Sequence, residues 1–329
     1  MNTAAENGEC LAAGYHADNF ENVTVCCGDS RIHNTSSFNI GYYEYMNPIH
    51  TNPQLDIQQA SITEGYDYVA VDDFLQNPHD VIDYASSHAD RLQSRPRGGY
   101  PGRQFQLDDE PLADVYRFVR TNLPRRFRFF RGDMKMWAVL SLTTTQPDEL
   151  FGFQLLCHVD TNPHPDRTVF AGLVYLFDDQ DLGGTDFYRW KDPDLEQQAT
   201  ALEDKNPGAG IEFLRERFPT LATPPAYLTG SNEVVEHLCS IPARFNRFVF
   251  YSGRIPHSAA IAAPQRLSAD PSQGRLTLNV FASVVPKEGK HHLIDPQKDR
   301  SPALSPWQGG ASSDAQIALL RKRMPPTGL

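Results

Sequence analysis

Phe153-Gln154-Leu155-Leu156-Cys157-His158-Val159-Asp160, answered far downstream by Arg254-Ile255-Pro256-His257-Ser258, is the stretch on which the reading of this chain turns. Its spacing is strand-like, and residues two apart on a strand project from one face. A strand over Phe153–Asp160 therefore turns Gln154, Leu156, His158 and Asp160 inward together. Two imidazoles and one carboxylate can occupy one triangular face of an octahedral metal and leave the opposite face open. In a chain with eleven histidines a His-x-Asp also arises by chance in a surface turn. The sequence around it decides between the two.

Alternation, β-branched and aromatic content and Gly/Pro/Asn punctuation predict strands over Met134–Thr143, Phe153–Asp160, Thr168–Phe177, Thr185–Trp190, Glu233–Ile241, Asn246–Tyr251, Ile255–Ile261 and Arg275–Val285. That is enough for a jelly-roll barrel in a mainly β protein with flanking helices. Two Greek keys folded into facing sheets bring the second and seventh strands, which carry His158, Asp160 and His257, to one mouth.

In that order, His158-Val159-Asp160, Leu182-Gly183-Gly184-Thr185-Asp186-Phe187, Asn246-Arg247-Phe248-Val249-Phe250, Pro256-His257 and Arg275-Leu276-Thr277 resemble the landmarks of the Fe(II)/2-oxoglutarate-dependent dioxygenases, in particular the prolyl-hydroxylase-like branch. The resemblance covers Asp133 to Pro286. It implies a double-stranded β-helix that holds Fe(II) through His158, Asp160 and His257, with 2-oxoglutarate as cosubstrate and O2 as oxidant. It also implies oxidation of a C–H bond by hydroxylation, desaturation or ring formation. Related halogenases have a small residue where Asp160 stands.

The distal carboxylate of 2-oxoglutarate needs a cation, and arginine offers a planar, permanently charged fork. Arg275 and Thr277 share a strand face and resemble the Arg-x-Ser/Thr pair of the family. Arg266 is closer to His257 and is the rival. Pro264, Asp270, Pro271 and Gly274 mark its surroundings as a loop, which favours Arg275. The Arg95-Pro96-Arg97-Gly98-Gly99-Tyr100-Pro101-Gly102-Arg103 stretch combines hinge glycines, an aromatic ring and cations. It reads as a lid whose Tyr100 and Arg103 bind a small, amino-acid-like substrate of the kind met in natural-product biosynthesis, with a basic surface turn as the alternative. A cupin-like isomerase, a Zn-dependent hydrolase and a non-catalytic jelly-roll binding module are the other classes this barrel allows.

The chain has 329 residues, 40% of them hydrophobic, so one substantial core is available. A formal charge of −11 argues against a nucleic-acid partner. Cys10, Cys26, Cys27, Cys157 and Cys239 have no metal-type spacing and fit a reducing cytoplasm, with Cys157 as a small buried hydrophobe. No basic-then-apolar leader and no apolar run of membrane-spanning length is present, so a cytoplasmic protein without a membrane partner is expected. The expected organisation is an irregular extension over 1–60, a helical buttress over 61–130, the barrel over 131–290 with an insertion at 191–232, and a tail over 291–329. Helices are predicted at Pro78–Leu92, Asp109–Phe130, Asp194–Glu203, Ile211–Phe218 and, in the tail, Ala315–Arg323. His164, His291 and His292 read as surface residues, and a plain hairpin turn is the alternative reading of Gly183-Gly184.

Overall fold

In the computed structural model the chain divides into a unit over Met1–Glu44 and another over Tyr45–Leu329. The structure describes residues 46–94, 99–129, 133–160 and 166–285, all in the second unit. The Arg95–Gly98 half of the lid candidate, His164, His291, His292, the first three cysteines, most of the extension and the tail lie outside the described residues.

Strand β1 (Gln58–Thr63) pairs with β2 (Tyr66–Val71), and α1 (Pro78–Ser87) follows with its proline in the first turn, where no N–H is missed. Next come β3 (Gln93–Ser94), β4 (Gly102–Gln106) and α2 (Ala113–Asn122), whose Val115, Phe118 and Val119 form one buried stripe. Both helices are shorter than their apolar patterns suggest. The second ends at Asn122, just before Pro124, which cannot continue an α-helical ladder. The barrel strands are β5 (Lys135–Thr143), β6 (Thr168–Tyr175) and β7 (Thr185–Trp190), then helices α3 (Pro193–Lys205) and α4 (Ala209–Arg217), then β8 (Val235–Ile241), β9 (Phe248–Ser252), β10 (His257–Ala259) and β11 (Arg275–Val284).

These strands form an eight-stranded antiparallel sheet in the order β1-β2-β9-β6-β11-β5-β4-β3 and a three-stranded sheet in the order β10-β7-β8. Period-two alternation gives the large sheet two characters. Leu140, Leu142, Leu276, Leu278, Val280, Phe248 and Phe250 point outward and bury against Val81, Val115, Phe118 and Val119 of the helices. Ala171, Tyr175, Val249 and Tyr251 point the other way and pack with Phe187 and Ile241 of the small sheet. This is the double-stranded β-helix, open rather than closed into a cylinder. The outer side of the small sheet, through Tyr188 and Trp190, is covered by α3, α4 and the segment to Leu228. Among the described residues no helix is long and apolar enough to cross a membrane.

The predicted strand over Phe153–Asp160 does not form. Gly152, at φ +57, starts a 3-10 turn over Gly152–Leu155, and only His158 is bridged, antiparallel to His257. The run Leu155-Leu156-Cys157 is buried at every position against the insertion helices. It needs no alternation, and an apolar run buried on all sides cannot be told from a strand by periodicity.

Candidate metal centre and anion pocket

His158 and His257 meet through their backbones. The His158 N–H donates to the His257 carbonyl at 3.0 Å and the His257 N–H to that of His158 at 2.9 Å. Residues that exchange both hydrogen bonds in an antiparallel pair put their side chains on one face. The imidazole centroids accordingly lie 4.4 Å apart. Asp160 follows two residues on, its N–H held by the Gly253 carbonyl at 2.7 Å, and its carboxylate returns to the same place. One ligand-type atom from each of His158, Asp160 and His257 lies within 4.8 Å of the others. The local extended pairing does what the longer predicted strand was expected to do.

The donor set fits a divalent cation. His257 Nδ1 contacts the Ile255 carbonyl at 2.8 Å, so that nitrogen carries the proton and Nε2 presents its lone pair. Nε2 is 3.6 Å from Asp160 Oδ2, a buried oxygen with no hydrogen-bond donor. Burial lowers the pKa of His257 to about 4; partial desolvation and the adjacent His257 lower that of His158, whose outer edge is exposed, and burial raises that of Asp160. Neutral imidazoles facing an oxygen without a donor leave lone pairs converging on a point that a cation can fill. The His158 side chain is 44% exposed and that of His257 7%, so the open side of the cluster is at His158. Gly253 makes the fit possible: a Cβ there would stand 2.7 Å from the Asp160 Cβ and 2.9 Å from Oδ2.

On the inner face of the large sheet, at the start of β11, Arg275 is 4% exposed. Its Nε donates to the Leu182 carbonyl at 2.8 Å, and its terminal nitrogens to the Gly184 carbonyl at 2.9 Å and to Thr143 Oγ1 at 3.4 Å. No carboxylate among the described residues pairs with it. Carbonyl dipoles soften the charge but leave it formally whole, and burying an unpaired charge costs several kcal/mol. Gly183-Gly184 is thus more than a hairpin turn. Gly183 has φ +75, and a Cβ on either glycine would strike the Ala260 or Ile241 carbonyl, so only glycines bring these carbonyls to Arg275. Thr277 lies beside it on β11, donating weakly to the Ser141 carbonyl at 3.4 Å. The rival, Arg266, is already paired with Asp179 and Asp181 at 2.6 and 2.5 Å on the surface.

Tyr100 and Arg103 separate. The Tyr100 hydroxyl is 2.8 Å from Thr143 Oγ1 and in reach of Arg275 and Thr277, and burial raises its pKa, so it remains a donor. It lies beside Arg275 rather than in a lid, a place its sequence surroundings did not signal. Arg103 is opposite Leu142 in the β4–β5 register, on the outer face and exposed. The structure does not bring it to the centre, and Gly102–Gln106 is a paired strand rather than a hinged lid. Tyr251 connects the two halves of the site: its ring is 4.9 Å from that of His257, and its pKa, raised mainly by burial, also responds to Asp160 and Arg275.

Strand order and side-chain placement define a double-stranded β-helix protein with a two-histidine, one-carboxylate cluster and, on the inner face of the large sheet, the buried guanidinium of Arg275. The chain belongs to the family of unknown function DUF6445, whose model matches residues 53–282. No curated protein matches it in sequence. Among solved structures it is similar to a prolyl 4-hydroxylase from Phytophthora capsici at 13% identity and TM-score 0.34, covering 77% of this chain and 66% of that one, just under two thirds. It is similar to EvdO2 from Micromonospora carbonacea var. aurantiaca at 9% identity and TM-score 0.34, covering 74% and 92%; EvdO2 has also been solved with 2-oxoglutarate. It is also similar to the non-heme alpha ketoglutarate dependent epimerase SnoN from nogalamycin biosynthesis at 16% identity and TM-score 0.30, covering 74% and 89%. At these TM-scores the likenesses add no weight to the site's own geometry.

Proposed function

We propose that the protein is an Fe(II)- and 2-oxoglutarate-dependent oxygenase that oxidises a C–H bond of a small, amino-acid-like molecule. The observation that carries this reading is Arg275, a buried guanidinium without a carboxylate, sharing an interior with a three-ligand cluster that has an open side. A zinc hydrolase would account for the cluster alone; a dicarboxylate cosubstrate accounts for both.

In this reading His158, Asp160 and His257 hold Fe(II), which with 2-oxoglutarate and O2 supplies the oxidising power and yields succinate and CO2. Arg275 receives the distal carboxylate, with the Tyr100 hydroxyl donating a hydrogen bond beside it and Thr143 and Thr277 flanking the guanidinium. The Ile255 carbonyl fixes the His257 tautomer so that Nε2 stays available. The cosubstrate would bind among the buried tyrosines that feel the Arg275 charge, Tyr100, Tyr175 and Tyr251, where charge-assisted hydrogen bonds gain strength. The test is O2- and Fe(II)-dependent succinate formation from 2-oxoglutarate, stimulated by a member of a panel of free and carrier-linked amino acids. Iron-loaded protein that forms no succinate with or without the panel would count against it.

Three substitutions follow from the geometry. Gly253→Ala places a methyl group where Asp160 lies, and metal affinity should fall by about 10–100-fold, the range for disturbing a ligand's support; chelator competition would measure it. Tyr100→Phe removes one hydrogen bond to a charged group, worth about 1.5 kcal/mol, and should raise the 2-oxoglutarate KM about tenfold. Arg103→Ala should leave that KM and metal affinity unchanged. Equal effects of the two would return Arg103 to the site.

A further inference from the structure

The His158 arm of the cluster lacks the support a barrel strand normally gives. A ligand on a sheet strand is held by ladders on both sides, whereas the segment before His158 is a 3-10 turn and a buried run with a single bridge beyond it. Something else must hold Phe153–Cys157, and the structure shows what does. One oxygen of Glu203, in α3, accepts from the Phe153 N–H at 3.1 Å; the other accepts from the Gly208 and Gly210 N–H groups at 2.9 and 3.0 Å at the start of α4. One carboxylate thus closes the α3–α4 turn and holds the chain five residues before His158.

The carboxylate is fitted closely. A Cβ on Gly152 would stand 2.0 Å from Glu203 Oε1, and one on Gly210 would stand 2.9 Å from the Glu203 Cβ. Leu155, Leu156 and Cys157 bury against Leu195, Ala199, Ile211 and Leu214 of the same two helices. We infer that Glu203 is a positioning residue for His158, and that the insertion carrying it replaces the missing strand as the support of the metal centre. This rests on the proposed metal reading and adds to it a residue outside the cluster. By linkage, metal binding and docking of the insertion strengthen each other by the same factor.

The test uses Co(II) as the probe on the full chain, by chelator competition, with wild type, Glu203→Ala, His158→Ala and the double variant. Glu203→Ala should weaken Co(II) binding about 10–100-fold, as loss of a ligand's support does. In the His158→Ala background, titrated directly with millimolar Co(II) because that variant no longer binds at micromolar concentrations, the further loss should nearly vanish, because Glu203 acts through that side chain. Glu203→Gln, which keeps an acceptor oxygen, guards against a variant that does not fold and should lie between wild type and Glu203→Ala. Unchanged affinity in both Glu203 variants overturns the inference, as does full multiplication of the two losses in the double variant, the mark of a general structural effect. A wild-type chain that binds no Co(II) overturns the metal reading beneath it.

Discussion

His158→Ala, Asp160→Ala and His257→Ala should each lose metal binding at micromolar concentrations and all metal-dependent succinate formation, with the fold intact. The cluster supplies three ligands, and removing one leaves a two-point site in which the remaining pair holds no face of the metal. Ligand loss should exceed the 10–100-fold penalty of disturbing a ligand's support, so a fall of at least about 1,000-fold in affinity is expected. Asp160→Ala carries a second signature. It removes the buried carboxylate oxygen that lacks a donor, so the apo protein should lose little or no thermal stability even as the metal is lost. Iron stoichiometry and melting temperature, measured with and without metal, separate these effects. Stoichiometric iron with wild-type turnover in any of the three removes that residue from the centre.

Arg275→Ala should raise the 2-oxoglutarate requirement by about 100-fold while iron binding is kept. A buried carboxylate that loses its guanidinium gives up about 3 kcal/mol, at the upper end for charge-assisted hydrogen bonds, and 1.4 kcal/mol is a factor of ten. Arg266→Ala breaks only exposed pairs with Asp179 and Asp181 and should leave that requirement unchanged. The opposite ranking would move the anchor to Arg266. Arg275→Lys is the finer control: it keeps the charge but loses the fork that reaches the Leu182 and Gly184 carbonyls together, and should recover only part of the loss.

The barrel was legible in the sequence wherever one sheet face is buried and the other differs from it. Thr185–Trp190 forms with the bounds its alternation predicts, and Arg275, Thr277 and Asn279 share the inner face through their period of two. Gln58–Thr63 and Gly102–Gln106 escaped notice because as polar edge-side strands they carry little apolar alternation. The Phe153–Cys157 run misled for the opposite reason, being buried throughout by an insertion whose docking no local pattern announces. The cluster survived this error because His-x-Asp needs only a few extended residues and one bridge.

At the site, residue chemistry made the three metal-ligand candidates and Arg275 readable. In sequence Tyr100 reads as a lid residue for the substrate and Gly253 does not stand out: each matters through a neighbour distant along the chain, Thr143 for the hydroxyl and Asp160 for the missing Cβ. The same holds for Glu203, whose partners are three backbone N–H groups, one of them fifty residues away, with no side chain to mark the pairing.

The most direct measurement is an anaerobic titration of the apo protein with Fe(II) and then 2-oxoglutarate, followed in the visible region. The account predicts one Fe(II) per chain and a weak metal-to-ligand charge-transfer band that appears only when 2-oxoglutarate is added, saturates at one equivalent and is absent in Asp160→Ala. Stoichiometric Fe(II) without that band at saturating 2-oxoglutarate, or no Fe(II) bound at all, would contradict it.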